Sequence, residues 1–503
     1  MSLELPLLDR PGDYIGGAFV RPAPADGALV IQSPADVHQH VSTHEHAVAH
    51  VDRAVETARA AFRAWRRQAP EARAERLRRY QARVRAHRED LALAIALEVG
   101  KPLWEARTEV DSMIGKVDLV LGEGARFTAT QELRDVPGEI RHRPLGVLAV
   151  IGPFNFPGHL PNGQIVPALA LGNCVVHKPS EKTPSAASLM ARCFDEAGFP
   201  RGVFNLVQGP AEVGRRLTVH ADIEGILFTG SVAVGRRIVA DNAARPERLI
   251  ALELGGKNAA IALDDCDLER TARAIAFAAF ATAGQRCTST SRLIATPGIA
   301  VPLTERIVEI TRALRVGHPL DAEVFMGPMI SSPSRAGLLA AQAHARDAGY
   351  DALIPGGVAE VPGHDGFYVM PAIHRASRPG LSVEGYTDHE LFGPDLAIEV
   401  AEDLDAAVAA ANGTRFGLAA SVFTRSADAF ERAAEDLRVG VVHWNRSSAG
   451  ASGRLPFGGV KESGNHRAAG ILVGGTCSHP QAVLLEPSTE GPLPSWPGSG
   501  LTP

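Results

Sequence analysis

At 503 residues the chain is too long for one small core and fits two to four domains of the usual ~100–200 residues. Hydrophobic residues make up 45% and charged residues 21%, with a formal net charge of −6, so there is no basic field to hold nucleic acid or an anionic membrane. Five widely spaced cysteines (Cys174, Cys193, Cys266, Cys287, Cys477) form no C-x-x-C pair, and no run of 18 or more apolar residues occurs; neither a disulfide framework, a zinc site nor a membrane span is indicated.

The start, M-S-L-E-L-P, has no basic stretch followed by an apolar run, so a soluble cytoplasmic protein is expected. Residues 13 to 31 read as short strands with Gly and Pro turns. His38, His40, His44, His46 and His50 follow without helical order or nearby acidic ligands, so this passage is expected to be a solvated connecting loop and not a metal site. From Val51 to Leu121 apolar residues recur at helical spacing, which predicts helices that pack on a sheet. Residues 125 to 145 alternate polar and apolar around a Pro-Gly turn and predict a protruding hairpin suited to association.

Beyond it, G-V-L-A-V-I-G-P, N-C-V-V-H-K-P, F-N-L-V-Q and G-I-L-F-T are apolar strands separated by helical stretches, a pattern that specifies a doubly wound parallel sheet. The pattern restarts at Leu249 with I-A-L-E-L-G-G, N-A-A-I-A-L and a helix over 267–283, and continues to V-G-V-V-H-W-N, which predicts a second α/β domain. The tail Q-A-V-L-L-E is a lone strand expected to join the hairpin sheet, with a second subunit as one possible host. A Pro, Gly and Ser-rich end without periodicity follows it.

Two segments suggest chemistry. In A-T-A-G-Q-R-C-T-S-T-S-R, Cys287 follows a glycine break at the end of an alanine-rich helix, a place for an exposed nucleophile, although a lone cysteine also reads as a small buried apolar residue. In L-F-T-G-S-V-A-V-G, residues Gly230, Ser231, Val232, Ala233, Val234 and Gly235 follow a buried strand and open a helix, so backbone N–H groups there can face a pyrophosphate; a tight structural turn explains the glycines equally well. Its partner is K-P-S-E, in which Lys178 ends a strand and Glu181 is placed to accept ribose hydroxyls, favouring NAD over NADP because a 2′-phosphate would meet its negative charge.

P-F-N-F-P, K-P-S-E, F-T-G-S, L-E-L-G-G-K, G-Q-R-C, E-L-F-G-P and P-F-G-G-V-K-E-S-G occur here in the order typical of aldehyde dehydrogenases, and over nearly its whole length the chain resembles that family. F-N-F-P-G-H-L-P-N-G-Q-I-V-P-A-L, W-N-R-S-S-A-G-A-S and S-G-N-H-R resemble its N-succinylglutamate 5-semialdehyde dehydrogenase branch. The chain departs from that branch in reading G-G-K-N at Gly255 to Asn258, where the branch has G-G-N-N, and in having Ser291 where the branch has Arg.

The resemblance implies two doubly wound parallel-sheet domains plus a small β arm. Residues 1–124 and 146–254 would bind NAD, 255–445 would be catalytic, and 125–145 with 471–503 would join subunits into a dimer or tetramer. It implies Cys287 as nucleophile, Asn155 as oxyanion donor and Glu253 as general base. Pro153, Phe154, Lys178, Ser180, Glu181, the 230–235 turn, Gly255, Glu390 and Phe392 would hold the cofactor, with Glu390 on the nicotinamide ribose. Arg446 and His466, in branch-like segments, are candidates for the two carboxylates of a succinylated glutamate semialdehyde. Oxidation of another small or aliphatic aldehyde, or a catalytically silent relative with a structural role, are the competing expectations.

Overall fold

The structure is a computed structural model that describes residues 12–486 and residue 496. Four helices come early: α1 (Ala49–Trp65), α2 (Pro70–Ala86), α3 (Arg88–Val99) and α4 (Leu103–Leu121). α3 ends at Gly100 in the left-handed conformation, φ 81°, which satisfies the last turn and frees the chain to enter Pro102 and α4.

The first seven-stranded sheet runs Leu249–Glu253, Gly225–Thr229, Val147–Ile151, Cys174–Lys178, Phe204–Leu206, then Asp13–Ile15 and Ala18–Val20. The first five are mutually parallel and the last two antiparallel. Between them pass α5 (His159–Ala170), α6 (Pro184–Glu196) and α7 (Ala211–Val219), and α8 (Val232–Asp241) follows Thr229. Strand order reverses between Val147–Ile151 and Gly225–Thr229. The loops leaving their carboxyl ends, which carry Pro153 to Asn155 and Gly230 to Gly235, therefore flank the crevice where open α/β sheets take ligands.

The second seven-stranded sheet runs Tyr350–Pro355, Ala372–Ala376, Asp395–Val400, Thr290–Ala295, Asn258–Ala262, Ala419–Phe423 and Val441–Trp444; only its first pair is antiparallel. α9 (Leu268–Phe280), capped by the Asp267 side chain on the Arg270 N–H, packs beside it and ends at the cysteine turn. The sequence reading passes over the helices Ser332–Asp347 and Ala427–Asp436 and the strand Ala419–Phe423. The two helices carried a usable signal, a serine cap at Ser331 and at Ser426. The strand A-A-S-V-F is alanine-rich and weak in β propensity, and only its neighbours on both sides make it extended.

One expectation is corrected. The histidine passage is not a solvated loop: residues Asp36–His46 form a strand paired with Gly27–Ser33. Its two-residue period turns Ser42, His44 and His46 inward and leaves Thr43 and Glu45 outside. His44 binds the Ser42 hydroxyl at 3.1 Å, and His50, in α1, binds Asp13 at 2.7 Å. The terminal strand Ser478–Leu484 joins the hairpin sheet as expected, pairing antiparallel with Gly138–Pro144 of the same chain, with Gln131–Glu132 as the third strand. Residues 1–11, 487–495 and 497–503, including most of the Pro, Gly and Ser-rich end, lie outside the described residues. Among the described residues no helix is long and apolar enough to cross a membrane.

Candidate active site

Cys287 sits on a strained turn. After α9, Thr282 and Ala283 adopt left-handed φ of 55° and 51°, followed by Gly284 at 64°. Two non-glycine residues in that region cost on the order of 1–3 kcal/mol each, so something must hold them. The holder is Glu105 of α4, which takes the Thr282 N–H at 3.2 Å, the Thr282 hydroxyl, and the Arg286 guanidinium at 2.6 Å. Gly284 is required here because a Cβ would lie 2.2 Å from the Gly393 carbonyl oxygen. On the far side the Asn258 side chain donates to the carbonyls of Cys287 (2.7 Å) and Ser289 (2.9 Å). Gly256 lets the two segments meet, since a Cβ there would fall 2.7 Å from the Cys287 oxygen.

The Cys287 residue is half-buried, and its thiol is pushed up to about 12, by burial first and then by the charges of Glu390 and Glu253. Cys287 therefore rests as a thiol at neutral pH and needs a base before it can attack. Asn155 lies beside the turn, its side chain donating to the Gln285 carbonyl at 2.9 Å; the second amide hydrogen remains for an oxyanion.

Glu253 ends its strand 5% exposed, and no side chain donates a hydrogen bond to either carboxylate oxygen. Burial pushes its carboxyl up to about 8 against the opposing pull of Arg467 and of the Ala468 backbone N–H. The P-F-G-G-V-K-E-S-G segment folds over it. Asn465 accepts the Leu252 N–H at 2.7 Å, Gly464 bridges Glu253, and a Cβ on Gly458 would lie 2.8 Å from its Oε1. A buried carboxyl with no side-chain partner and a raised pKa is what a general base near neutrality requires.

The candidate cofactor residues divide between two places. Lys178, 4% exposed, reaches Glu181 at 3.6 Å. Ser180 accepts the Lys182 N–H, and Ser231 caps α8 by accepting the Val234 N–H at 3.4 Å. Ala233 and Val234 stand exposed at that helix start and Val232 is half-buried against the core, while Gly235 faces inward, where a Cβ would meet Leu254 at 2.9 Å; its purpose is close helix–strand packing. Nearer the thiol, Glu390 accepts the Gly256 N–H at 2.9 Å and is pushed up to about 7 by burial. Gly255 has no side chain to give: a Cβ would land 1.9 Å from Glu390 Oε2. Phe392, at φ 50°, meets Phe154 edge-on at 5.8 Å. Pro153 precedes Phe154 in the loop after Ile151.

A cavity of about 750 Å³ leads to Cys287 between α4, α5 and residues 450–457. Arg446 and His466 are exposed and do not line it. Its cationic wall residues are Lys116, Arg286 and Arg454. Sequence reasoning missed Glu105 and Lys116 because both sit in an ordinary amphipathic helix, where a charge reads as a solvated face.

The model of the aldehyde dehydrogenase family matches residues 22–481, and the chain belongs to that family. It is 41% identical over 457 residues to the N-succinylglutamate 5-semialdehyde dehydrogenase of Ectopseudomonas mendocina, covering 90% of this chain and 92% of that one. Among solved structures it is similar to the NAD-dependent aldehyde dehydrogenase of Sinorhizobium meliloti, with 31% identity, a TM-score of 0.91 and 97% of each chain covered. It is also similar to the 1-pyrroline-5-carboxylate dehydrogenase of Thermus with bound NAD, with 29% identity, a TM-score of 0.87, and 94% and 92% covered.

Proposed function

We propose that this protein oxidises N-succinyl-L-glutamate 5-semialdehyde to N-succinyl-L-glutamate with NAD as the oxidant. The observation that carries the chemistry is the pairing of a thiol on a rigid, pre-strained turn with a buried carboxyl that has no side-chain partner, Glu253. The likeness to the Ectopseudomonas enzyme supports the substrate.

Cys287, once deprotonated, attacks the aldehyde carbon, and the negative oxygen that forms is stabilised by the Asn155 amide and the Cys287 N–H. Glu253 accepts the thiol proton and passes it to solvent; after the hemithioacetal carbon has lost its hydride to leave a thioester, Glu253 takes a proton from the attacking water, and the Cys287 thiolate leaves as the acid is released. NAD supplies the hydride acceptor when bound. The residues fit it: Glu181 offers a half-exposed carboxylate, the start of α8 is open, and the glycine at 255 leaves room beside Glu390. Lys178, Ser180, Glu181, the 230–235 turn, Gly255, Glu390 and Phe392, with Pro153 and Phe154, are the proposed cofactor contacts. Residues 1–124 and 146–254 then form the cofactor domain, 255–445 the catalytic domain, and the three-stranded sheet an arm for association with a second copy. A soluble enzyme in the cytoplasm suits this reading.

The test is an initial-rate panel followed by NADH absorbance, with succinylglutamate semialdehyde, succinic semialdehyde and butanal, each with NAD and with NADP. The succinylated substrate with NAD should give the highest kcat/KM. A best substrate lacking the succinyl group would refute the assignment.

A further inference from the structure

A substrate bearing carboxylates must find positive charge in the cavity, and most of the charge there is already spent. Arg286 is committed to Glu105, and Arg454 to Glu123 at 2.8 Å. Glu109 is bound by Lys101 at 2.7 Å, and the Asp118 carboxylate accepts Gln81 Nε2 at 2.7 Å. The Arg454 pair is also largely exposed, where an ion pair contributes about 0–1 kcal/mol and exchanges readily with water.

Lys116 is different. It is 6% exposed, it lines the cavity, and no carboxylate among the described residues lies within ion-pair distance of it. Its Nζ donates to the Gly470 carbonyl at 2.8 Å, which leaves two of its three N–H groups to place. Burial lowers it to about 8, so it is still an ammonium at pH 7. The neighbouring His159, half-buried on the same cavity wall, is held neutral by burial and by repulsion from Lys116 and Lys101, so it adds no competing cation. A buried ammonium without a counter-ion costs several kcal/mol unless something else neutralises it.

The wall around it is also cut back. Gly115 and Gly163 lie inside α4 and α5, where glycine costs roughly 0.5–1 kcal/mol relative to alanine. A Cβ at Gly115 would meet nothing within 4 Å, and one at Gly163 would touch the Lys116 stem at 3.9 Å. Neither glycine has a positive φ to explain it. Both line the cavity and widen it beside Lys116.

We infer that Lys116 is the specificity-determining residue that binds a carboxylate of the aldehyde substrate, completing its ammonium's coordination with the acid group that the fold does not supply. The inference rests on the proposed oxidation of an acidic aldehyde at Cys287, and goes beyond it in naming the residue that reads the acid.

The experiment compares wild type, Lys116→Met and Lys116→Arg on succinylglutamate semialdehyde, succinic semialdehyde and uncharged butanal, with melting temperature measured alongside. Lys116→Met should lose ~10²-fold in kcat/KM on both acidic aldehydes, the size expected for losing a buried charge pair. It should keep butanal oxidation within about threefold by the same reasoning, and Lys116→Arg should recover part of the loss. Melting temperature should not fall, because no protein carboxylate is left unpaired. Equal loss on butanal, or no loss on the acidic aldehydes, would overturn the inference. Wild-type preference for succinic over succinylglutamate semialdehyde would sink the substrate proposal alone, leaving the Lys116 comparison intact. A wild type indifferent to the charge of the aldehyde would sink both.

Discussion

The buried charges near the cavity fall into two groups treated in opposite ways. Below the cysteine turn, Lys101 with Glu109 and Arg286 with Glu105 are closed sets. Each charge has its partner, Glu109 also takes the N–H groups of Gly158 and His159 at the start of α5, and the Lys101 ammonium sits 3.5 Å over the Phe156 ring. By contrast, Glu253 has no side-chain partner, and Lys116, on the cavity wall, has only a carbonyl. The closed sets position the reacting groups, and the open ones are held at high energy until substrate, proton or water arrives. Buried charge is thus structural where the fold completes it and functional where the fold does not.

The largest effect comes from removing the thiol. Cys287→Ala should abolish NADH formation, and mass measurement of quenched protein should find no acyl adduct. Next, Glu253→Gln should form about one equivalent of NADH per site in rapid mixing, more slowly than wild type because Cys287 must then ionise by another route, and stall at the thioester, with steady turnover down ~10²–10⁴-fold. In wild type, steady turnover should climb as pH passes through about 8, where the Glu253 carboxyl loses its proton. A flat profile from pH 6.5 to 9 would show that another group is the base.

On the closed side, Lys101→Met leaves Glu109 charged with no cation beside it, only the Gly158 and His159 N–H groups, and should cost about 3–5 kcal/mol, read as a drop in melting temperature. The double variant Lys101→Met with Glu109→Gln should recover much of that loss. The smallest effect has the opposite sign. The Glu253 carboxyl sits above its ordinary value in the folded protein, so the unfolded chain gives up this proton first. Its penalty on folding therefore grows from pH ~4.5 to about 8. Glu253→Gln removes that penalty and should raise stability at pH 8 by on the order of 1–2 kcal/mol, with little gain at pH 5. A lower melting temperature for Glu253→Gln at pH 8 would mean that the carboxyl is satisfied in the fold.

The sequence by itself determined the alternation of buried strands and helices, hence the two parallel sheets, because apolar runs bounded by Gly and Pro leave few other ways to bury a backbone. It also determined the local chemistry of G-Q-R-C, L-E-L-G-G-K and K-P-S-E, whose residue types declare themselves. Tertiary structure alone decided which charges are neutralised, since Glu105 and Arg286 meet across 181 residues of sequence. It alone turned a histidine-rich stretch into a half-buried strand, and seated Lys116 on the cavity wall while Arg446 and His466 stayed outside. The physical reason is that a charge's role depends on what surrounds it in space, and neither helical spacing nor a short motif specifies the partner that arrives from elsewhere in the chain.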